Sequence, residues 1–216
     1  ITSIIQDPIS FHSMISHLAK GKAPGPDGLT NEAIQWAPSR ARAVLHQFMM
    51  CLWKARYTPT CWSASHTCLL YKKGPPTLLN NYRPIAMANS LSKVWTGWIA
   101  TALSHYSETH QILSTTQEGF RPQKNSQRQL RNLINVIEDA HINHKNLYVL
   151  FIDLSAAFNT VNHTRLQEIL QMLGIPQDAR EVIASIYTNA TTSILTPHGP
   201  TPVSYTHLRA HETLMN

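Results

Sequence analysis

Charge is scarce in this chain: Asp, Glu, Lys and Arg make up 14% of its 216 residues, well below the usual quarter. A strongly charged, disordered tail is thereby excluded, and a hydrophobic share of 43% is enough to bury a core. Cysteine is nearly missing. Cys51, Cys61 and Cys68, an odd set at irregular spacing, build no disulfide framework, so a reducing, intracellular compartment is expected. Long hydrophobic runs are absent: the longest, Leu147-Tyr148-Val149-Leu150-Phe151-Ile152, stops at Asp153, far short of a bilayer span. Glycine (8) is outnumbered by proline (13) without any Gly-X-Y period, which excludes a collagen-like chain. Acidic pairs of one kind are absent too, since Asp7, Asp27, Asp139, Asp153 and Asp178 never adjoin. The chain opens on Ile1 with no basic leader or cleavage site, and we expect a fragment of a longer protein.

What charge there is lies unevenly. Residues 1–100 carry ten Lys and Arg against Asp7, Asp27 and Glu32, whereas residues 101–216 carry eight against nine. A basic half joined to a neutral one suits a polyanion-binding surface, although a pI of 9.4 with no partner behind it would read the same way.

The pattern predicts mixed structure. Asp7-Pro8 reads as an N-cap and first helical residue, with Phe11, Met14, Ile15 and Leu18 at helical spacing up to about Lys20-Gly21. Thr30 caps a short helix through Trp36, and after Pro38 a longer one buries Val44, Leu45, Phe48, Met49 and Leu52. Thr67–Tyr71 is a strand ending in Lys72-Lys73 and a Gly74-Pro75-Pro76 turn, and residues 80–85 are extended before and through Pro84. Ser90 is expected to cap a helix carrying Leu91, Val94, Trp95, Trp98, Ile99, Ala102 and Leu103. A polar loop over 117–125 precedes an amphipathic helix with Leu130, Leu133, Ile134 and Ile137. Residues 147–154 read as a strand covered on both faces. Helices follow from about His163 to a stop at Gly174 and from Ile175-Pro176 through Tyr187, and then a strand over 192–196.

The chemistry centres on Phe151-Ile152-Asp153-Leu154-Ser155-Ala156-Ala157-Phe158. A carboxylate at the end of a buried apolar strand is costly unless it binds a cation, and oxygen ligands suit Mg²⁺. Ser155, Ala156 and Ala157 leave room beside it, and Phe158 offers a flat wall to a sugar or base. The alternative is an Asp capping the next turn, with Phe158 in the core. Zinc is a weak reading for Cys51, Cys61, Cys68, His46 and His66, which lack a paired C-x₂₋₄-C unit, and Cys51 is expected in the core. Trp53, Trp62, Trp95 and Trp98 could stack bases, but the last two sit at helical spacing and suit packing. No G-x-S-x-G elbow supports a hydrolase.

Four segments together resemble the reverse transcriptase domain of non-LTR (LINE-type) retrotransposons. Lys22-Ala23-Pro24-Gly25-Pro26-Asp27-Gly28 is similar to that family's upstream loop. Asn81-Tyr82-Arg83-Pro84-Ile85-Ala86 with Leu91-Ser92-Lys93 is similar to its first fingers motif, and Gln117-Glu118-Gly119-Phe120-Arg121 to the next. Phe151-Ile152-Asp153 through Phe158-Asn159-Thr160-Val161 resembles polymerase motif A, with Asn159 where many members carry Asp.

The resemblance implies an α+β fold: helix-rich, right-hand polymerase fingers over 1–125 and a partial palm with a small, incomplete sheet over 126–203. Residues 204–216 match nothing in the family and are expected to be foreign. It implies RNA-templated DNA synthesis, with RNA template, DNA primer and deoxynucleoside triphosphate as partners, in the nucleus or cytoplasm. Asp153 would be the catalytic carboxylate and, with the Leu154 carbonyl, a ligand of Mg²⁺, with Mn²⁺ as a substitute. Phe158 would exclude a ribose 2′-hydroxyl, and Arg83, Lys72 and Lys73 would hold the triphosphate. Lys22, Gly25, Asp27, Gly28, Gln117, Gly119, Phe120 and Arg121 would line the template or hybrid. The family's motif C, with its paired Asp residues, is missing. Two-metal displacement needs carboxylates from more than one element, so the isolated chain is expected not to polymerise. A non-catalytic remnant that still binds nucleic acid is the alternative, as is a fragment unable to fold stably.

Overall fold

The structure is a computed structural model that describes residues 1–154, 157–158, 160–188 and 190–204, with backbone alone for 202–204. Ser155, Ala156, Asn159 and the tail from 205 lie outside the described residues. The described residues form two units, one of Ile1–Ala102 with the chain from Ala157 onward, the other of Leu103–Ala156.

Helices α1 (Thr2–Gln6), α2 (Pro8–Ser16), α3 (Asn31–Gln35) and α4 (Ser39–Ala55) open the first unit. Asp7 caps α2 as its spacing predicts, accepting from the Ile9 and Ser10 N–H groups, with Pro8 at the first helical position where its missing N–H costs nothing. The helix stops at Ser16, earlier than Lys20-Gly21. Thr30 caps α3 through the Ala33 N–H. In α4 the buried stripe is His46, Met49, Leu52 and Trp53, while Val44 and Phe48 are exposed. The face is rotated because two amphipathic rings, His46 and Trp53, take core positions that aliphatic spacing assigned elsewhere.

Strands β1 (Ala64–Tyr71), β2 (Tyr82–Ala88), β3 (Thr191–Thr196) and β4 (Gly199–Ser204) make one sheet in the order β2-β1-β3-β4. The hairpin β1–β2 is antiparallel and β1 pairs β3 in parallel. The Thr67 and Thr192 hydroxyls lie 2.7 Å apart across that parallel pair. Strand β4 carries Pro200 and Pro202 and sits at the sheet edge, the position where a strand tolerates a missing N–H.

Helices α5 (Ser90–Thr109) and α8 (Gln177–Tyr187) supply the rest of this core, with α7 (His163–Met172) before α8. Gly174 ends α7 at φ +73°, as its place after the last periodic residue predicts. Trp95, Trp98, Phe11, Ile5, Ile15, Met49 and Val182 are fully buried. The Phe11 ring lies 4.9 Å from His46 and 5.0 Å from Trp98, and His46 Nε2 is 3.3 Å from the Ile5 carbonyl oxygen. Trp95 donates its indole N–H to the Thr58 hydroxyl, which meets Ser185 at 2.8 Å, so the polar edge of the ring stays satisfied.

The second unit holds the end of α5, the loop to Asn125 and α6 (Ser126–Ile142), whose first turn Asn125 caps through the Arg128 N–H. The amphipathic pattern predicted α6, but none of its residues is buried. The strand expected over 147–154 is overturned. Those residues are in no strand, and Tyr148, Leu150, Phe151 and Ile152 are 80% exposed or more. A strand that is apolar on both faces needs paired neighbours and a covering layer. Among the described residues nothing pairs with this run. No helix among the described residues is long and apolar enough to cross a membrane.

Candidate nucleotide and nucleic-acid site

The basic hairpin comes first because its geometry is the most complete. The Lys72 N–H donates to the Asn81 carbonyl at 2.8 Å and closes the loop between β1 and β2. Tyr71 and Tyr82 face each other across the hairpin with rings 5.5 Å apart. Their hydroxyls donate to the Gly74 and Pro76 carbonyls, and Asn81 donates to the Pro75 carbonyl. Gly74 is at φ +92°, a backbone conformation that favours glycine, and a Cβ there would stand 2.8 Å from the end of the Asn81 side chain. On this braced tip Lys72 and Lys73 are exposed, and Arg83 is the exposed second residue of β2, opposite Leu70. Among the described residues none of the three cations forms an ion pair.

The loop over 22–28 docks on the β2–α5 junction. A Cβ on Gly25 would lie 2.5 Å from the Ala88 carbonyl carbon and the Asn89 nitrogen, a backbone approach only glycine permits. The Asp27 N–H donates to the Asn89 side chain at 3.2 Å, Ser90 Oγ donates to the Leu29 carbonyl at 2.6 Å, and Lys93 Nζ donates to the Ala23 carbonyl at 3.3 Å. Ser90 therefore opens α5 and ties down the loop rather than capping the helix. Asp27 accepts from the Leu29 N–H, and Gly28 turns at φ +69°. Burial holds the Lys93 amine below the usual lysine range, with the Asp27 carboxylate partly offsetting it. Lys22 is exposed at the start of the loop. Asn89 and Lys93 were not foreseen as loop anchors; a lysine beside Val94 and Trp95 on a core-facing helix was the available signal.

In the second unit Gln117, Gly119, Phe120 and Arg121 form a tight loop. Arg121 grips Glu108, in the last turn of α5, with Nε and Nη2 at 2.8 and 2.7 Å, and its Nη1 donates to the Ser114 and Gln117 carbonyls at 2.7 and 3.2 Å. This pairing holds the Glu108 carboxyl below its ordinary range and raises the Arg121 guanidinium above its own. Gln117 and Gly119 are joined by a side-chain amide to carbonyl bond at 3.4 Å, and Phe120 is exposed at φ +60°.

Asp153 and Leu154 are exposed in the second unit, beyond the run that forms no strand. Phe158, 44% exposed, belongs to the first unit, as do Arg83, Lys72 and Lys73. The premise that burial makes Asp153 costly without a cation is therefore overturned. Among the described residues no three His, Cys, Asp or Glu side chains converge on a common point. Base stacking on the tryptophans is overturned as well, since Trp53, Trp62, Trp95 and Trp98 are all buried. Cys51, expected in the core, is exposed.

A family model described as reverse transcriptase (RNA-dependent DNA polymerase) matches residues 70–207, more than half of the chain. The chain belongs to the reverse transcriptase family. It is 29% identical over 166 residues to the RNA-directed DNA polymerase from mobile element jockey of Drosophila melanogaster, covering 76% of the chain and 18% of that protein. It is 30% identical over 153 residues to the probable RNA-directed DNA polymerase from transposon BS of the same fly, covering 70% and 17%. Identity is also 30% over 175 residues with the retrovirus-related Pol polyprotein from type-1 retrotransposable element R2 of Popillia japonica, covering 81% and 23%. These reverse transcriptases are non-LTR retrotransposon proteins, as the motif order implied, and the family is enzymatic and generally uses divalent metal ions. The chain spans about a fifth of the length of the curated relatives it matches.

Proposed function

We propose that this chain is the fingers and adjoining palm region of an RNA-templated DNA polymerase, in which a primer 3′-hydroxyl attacks an incoming deoxynucleoside triphosphate. The observation that carries it is the rigid β1–β2 tip with three exposed cations, Lys72, Lys73 and Arg83, that no carboxylate among the described residues neutralises. Holding like charges together on a braced turn favours an anion as their partner, and a triphosphate fits the fork of a guanidinium and two ammonium groups. The docked loop with Lys22, Gly25, Asp27 and Gly28 and the loop with Gln117, Gly119 and Phe120 would line the template or hybrid. Phase and positioning of the reacting groups, with charge neutralisation, supply most of the catalysis in such transfers.

Asp153 with the Leu154 carbonyl would be this chain's share of a Mg²⁺ site, which Mn²⁺ could also occupy, and Phe158 would select against a 2′-hydroxyl. Since those donors fall short of a two-ion site, the chain by itself binds a hybrid without extending it. The test is fluorescence anisotropy with an RNA–DNA hybrid across a salt series. Binding that weakens steeply with salt, with a slope that falls when Lys72, Lys73 and Arg83 are changed to Gln, supports the reading. Absence of binding at low salt refutes it.

A further inference from the structure

In the second unit the backbone over 146–154 has no partner. Among the described residues no backbone hydrogen bond reaches it, while the Lys145 N–H just before it donates to the Ala140 carbonyl at 2.8 Å and closes the end of α6. Within this stretch Leu147-Tyr148-Val149-Leu150-Phe151-Ile152 has no charge, glycine or proline, and its leucine, β-branched and aromatic side chains are the kind that pair strand to strand. Exposure alternates from Leu147 at 39% to Tyr148 at 90%, Val149 at 46% and Leu150 at 82%, the two-residue period of an extended chain with one face turned outward. An extended, apolar, unpaired segment is a template for another strand.

The ends of the segment decide which strand fits. Lys145 and Asp153 are exposed, and neither forms an ion pair among the described residues. Both lie on the odd-numbered face of the extended chain. Against a copy laid parallel and in register, like charges meet at both ends, which disfavours that pairing. Antiparallel, with Val149 opposite itself, Lys145 faces Asp153 at both ends, Leu147 faces Phe151, and Tyr148 faces Leu150. A slip of one residue separates the charges and turns the faces over. The two-fold symmetry means that each copy uses the same surface. A two-stranded ribbon is marginal without a covering layer, and each copy brings one in α6, which leaves Leu130, Ile134 and Ile137 exposed. A nucleic-acid strand fits the run poorly, because the run has no cation and ends on a carboxylate.

We propose that residues 145–153 form a self-association strand, through which two copies of this chain pair antiparallel in the register that sets Lys145 against Asp153. The proposal is independent of the nucleotide and hybrid readings above. Asp153 is paired in this dimer, so the association belongs to the chain by itself and not to the metal site proposed above.

Sedimentation of the 216-residue chain over about 1–100 µM, the range of a modest interface, measures the dissociation constant, and hydrogen exchange of 145–153 at both extremes locates the contact. Wild type is compared with L150K, K145D, D153K and K145D/D153K. These side chains are exposed, so the substitutions leave the fold intact, which circular dichroism checks. Wild type should dimerise, with 145–153 protected at the high concentration alone. L150K should raise the dissociation constant at least about tenfold, and K145D and D153K about tenfold each, because two favourable pairs become two like-charged ones. K145D/D153K should return to within about threefold of wild type, since the pairs re-form with their signs exchanged; general stickiness of an apolar surface gives no such rescue. A wild-type chain that stays monomeric at the top concentration overturns the proposal and leaves the run to a segment outside this chain. Dimerisation that L150K leaves intact also overturns it, by placing the contact elsewhere. Single charge variants that associate like wild type, a double variant no better than the single ones, or growth beyond two copies each overturn the register.

Discussion

Gly25 is the position where one methyl group tests how the loop over 22–28 is held. In Gly25→Ala the new Cβ would meet the Ala88 carbonyl carbon and Asn89 nitrogen at 2.5 Å and the Ala88 carbonyl oxygen at 2.6 Å, all of them backbone atoms at the entry to α5. Overpacking against atoms that cannot swing aside costs about 1–3 kcal/mol. If the loop lifts to relieve it, three tethers go: Asp27 N–H to Asn89, Ser90 hydroxyl to the Leu29 carbonyl, and Lys93 ammonium to the Ala23 carbonyl. Each such bond is worth about 1 kcal/mol net, and the Lys93 ammonium would be left buried without its acceptor. The cheaper route sets the cost, so the loss is about 1–3 kcal/mol. Gly28→Ala is the control. Gly28 is at φ +69° but has no atom within 4 Å of a Cβ, so its cost is the left-handed backbone alone, about 1 kcal/mol. Urea unfolding of the two variants, with hydrogen exchange of residues 22–29, reads the difference. Equal midpoints for the two variants would refute the close-approach argument.

Three further outcomes follow from the same geometry. The Glu108 carboxyl is held below its ordinary value of 4.5, so the stability it lends the 114–121 loop is full above that value and is lost as pH falls through the lower, folded-state value. Amide protection in the loop should therefore fade on acidification below about pH 4.5 in wild type and show no such step in E108Q; a step that persists in E108Q would contradict the assignment. Phe11→Ala empties a fully buried site against His46 and Trp98 and should cost about 3–5 kcal/mol by denaturant unfolding, with a loss under 1 kcal/mol showing the core to be placed wrongly. Ile152→Ser, at a residue 80% exposed, should change the chain's stability by no more than about 0.5 kcal/mol; a loss of 2 kcal/mol or more on the same scale would restore the buried strand that the structure overturns.

Local signals were legible in the sequence where their physics is local. Asp7-Pro8, Thr30 and Gly174 each bracket a helix because capping needs only neighbouring N–H or carbonyl groups. The strand to Tyr71, the turn at Gly74-Pro75-Pro76 and the extended stretch through Pro84 were legible because those residues leave the chain few other conformations, whereas the antiparallel pairing of the two strands was not. Long-range choices were not. The α4 stripe came out rotated because His46 and Trp53 bury rings that a count of aliphatic residues ignores. Strand β4 was missed because Pro200 and Pro202 argue against a strand until the edge position is known. An apolar run such as 147–152 promises a buried strand, but burial depends on partners the run does not specify. Arg83 and the two loops were named as candidates from the motifs, while the contacts of Asn89, Lys93 and Glu108 with those loops arise only in the folded chain.

The proposed role of Asp153 is to serve nucleotide addition in a protein of the length its relatives have. Primer extension on an RNA template, by the protein carried through the length its relatives have, tests it directly with Asp153→Ala against wild type. The account predicts extension by wild type and none above background by Asp153→Ala, with hybrid affinity unchanged. Extension at the wild-type rate by Asp153→Ala would contradict it.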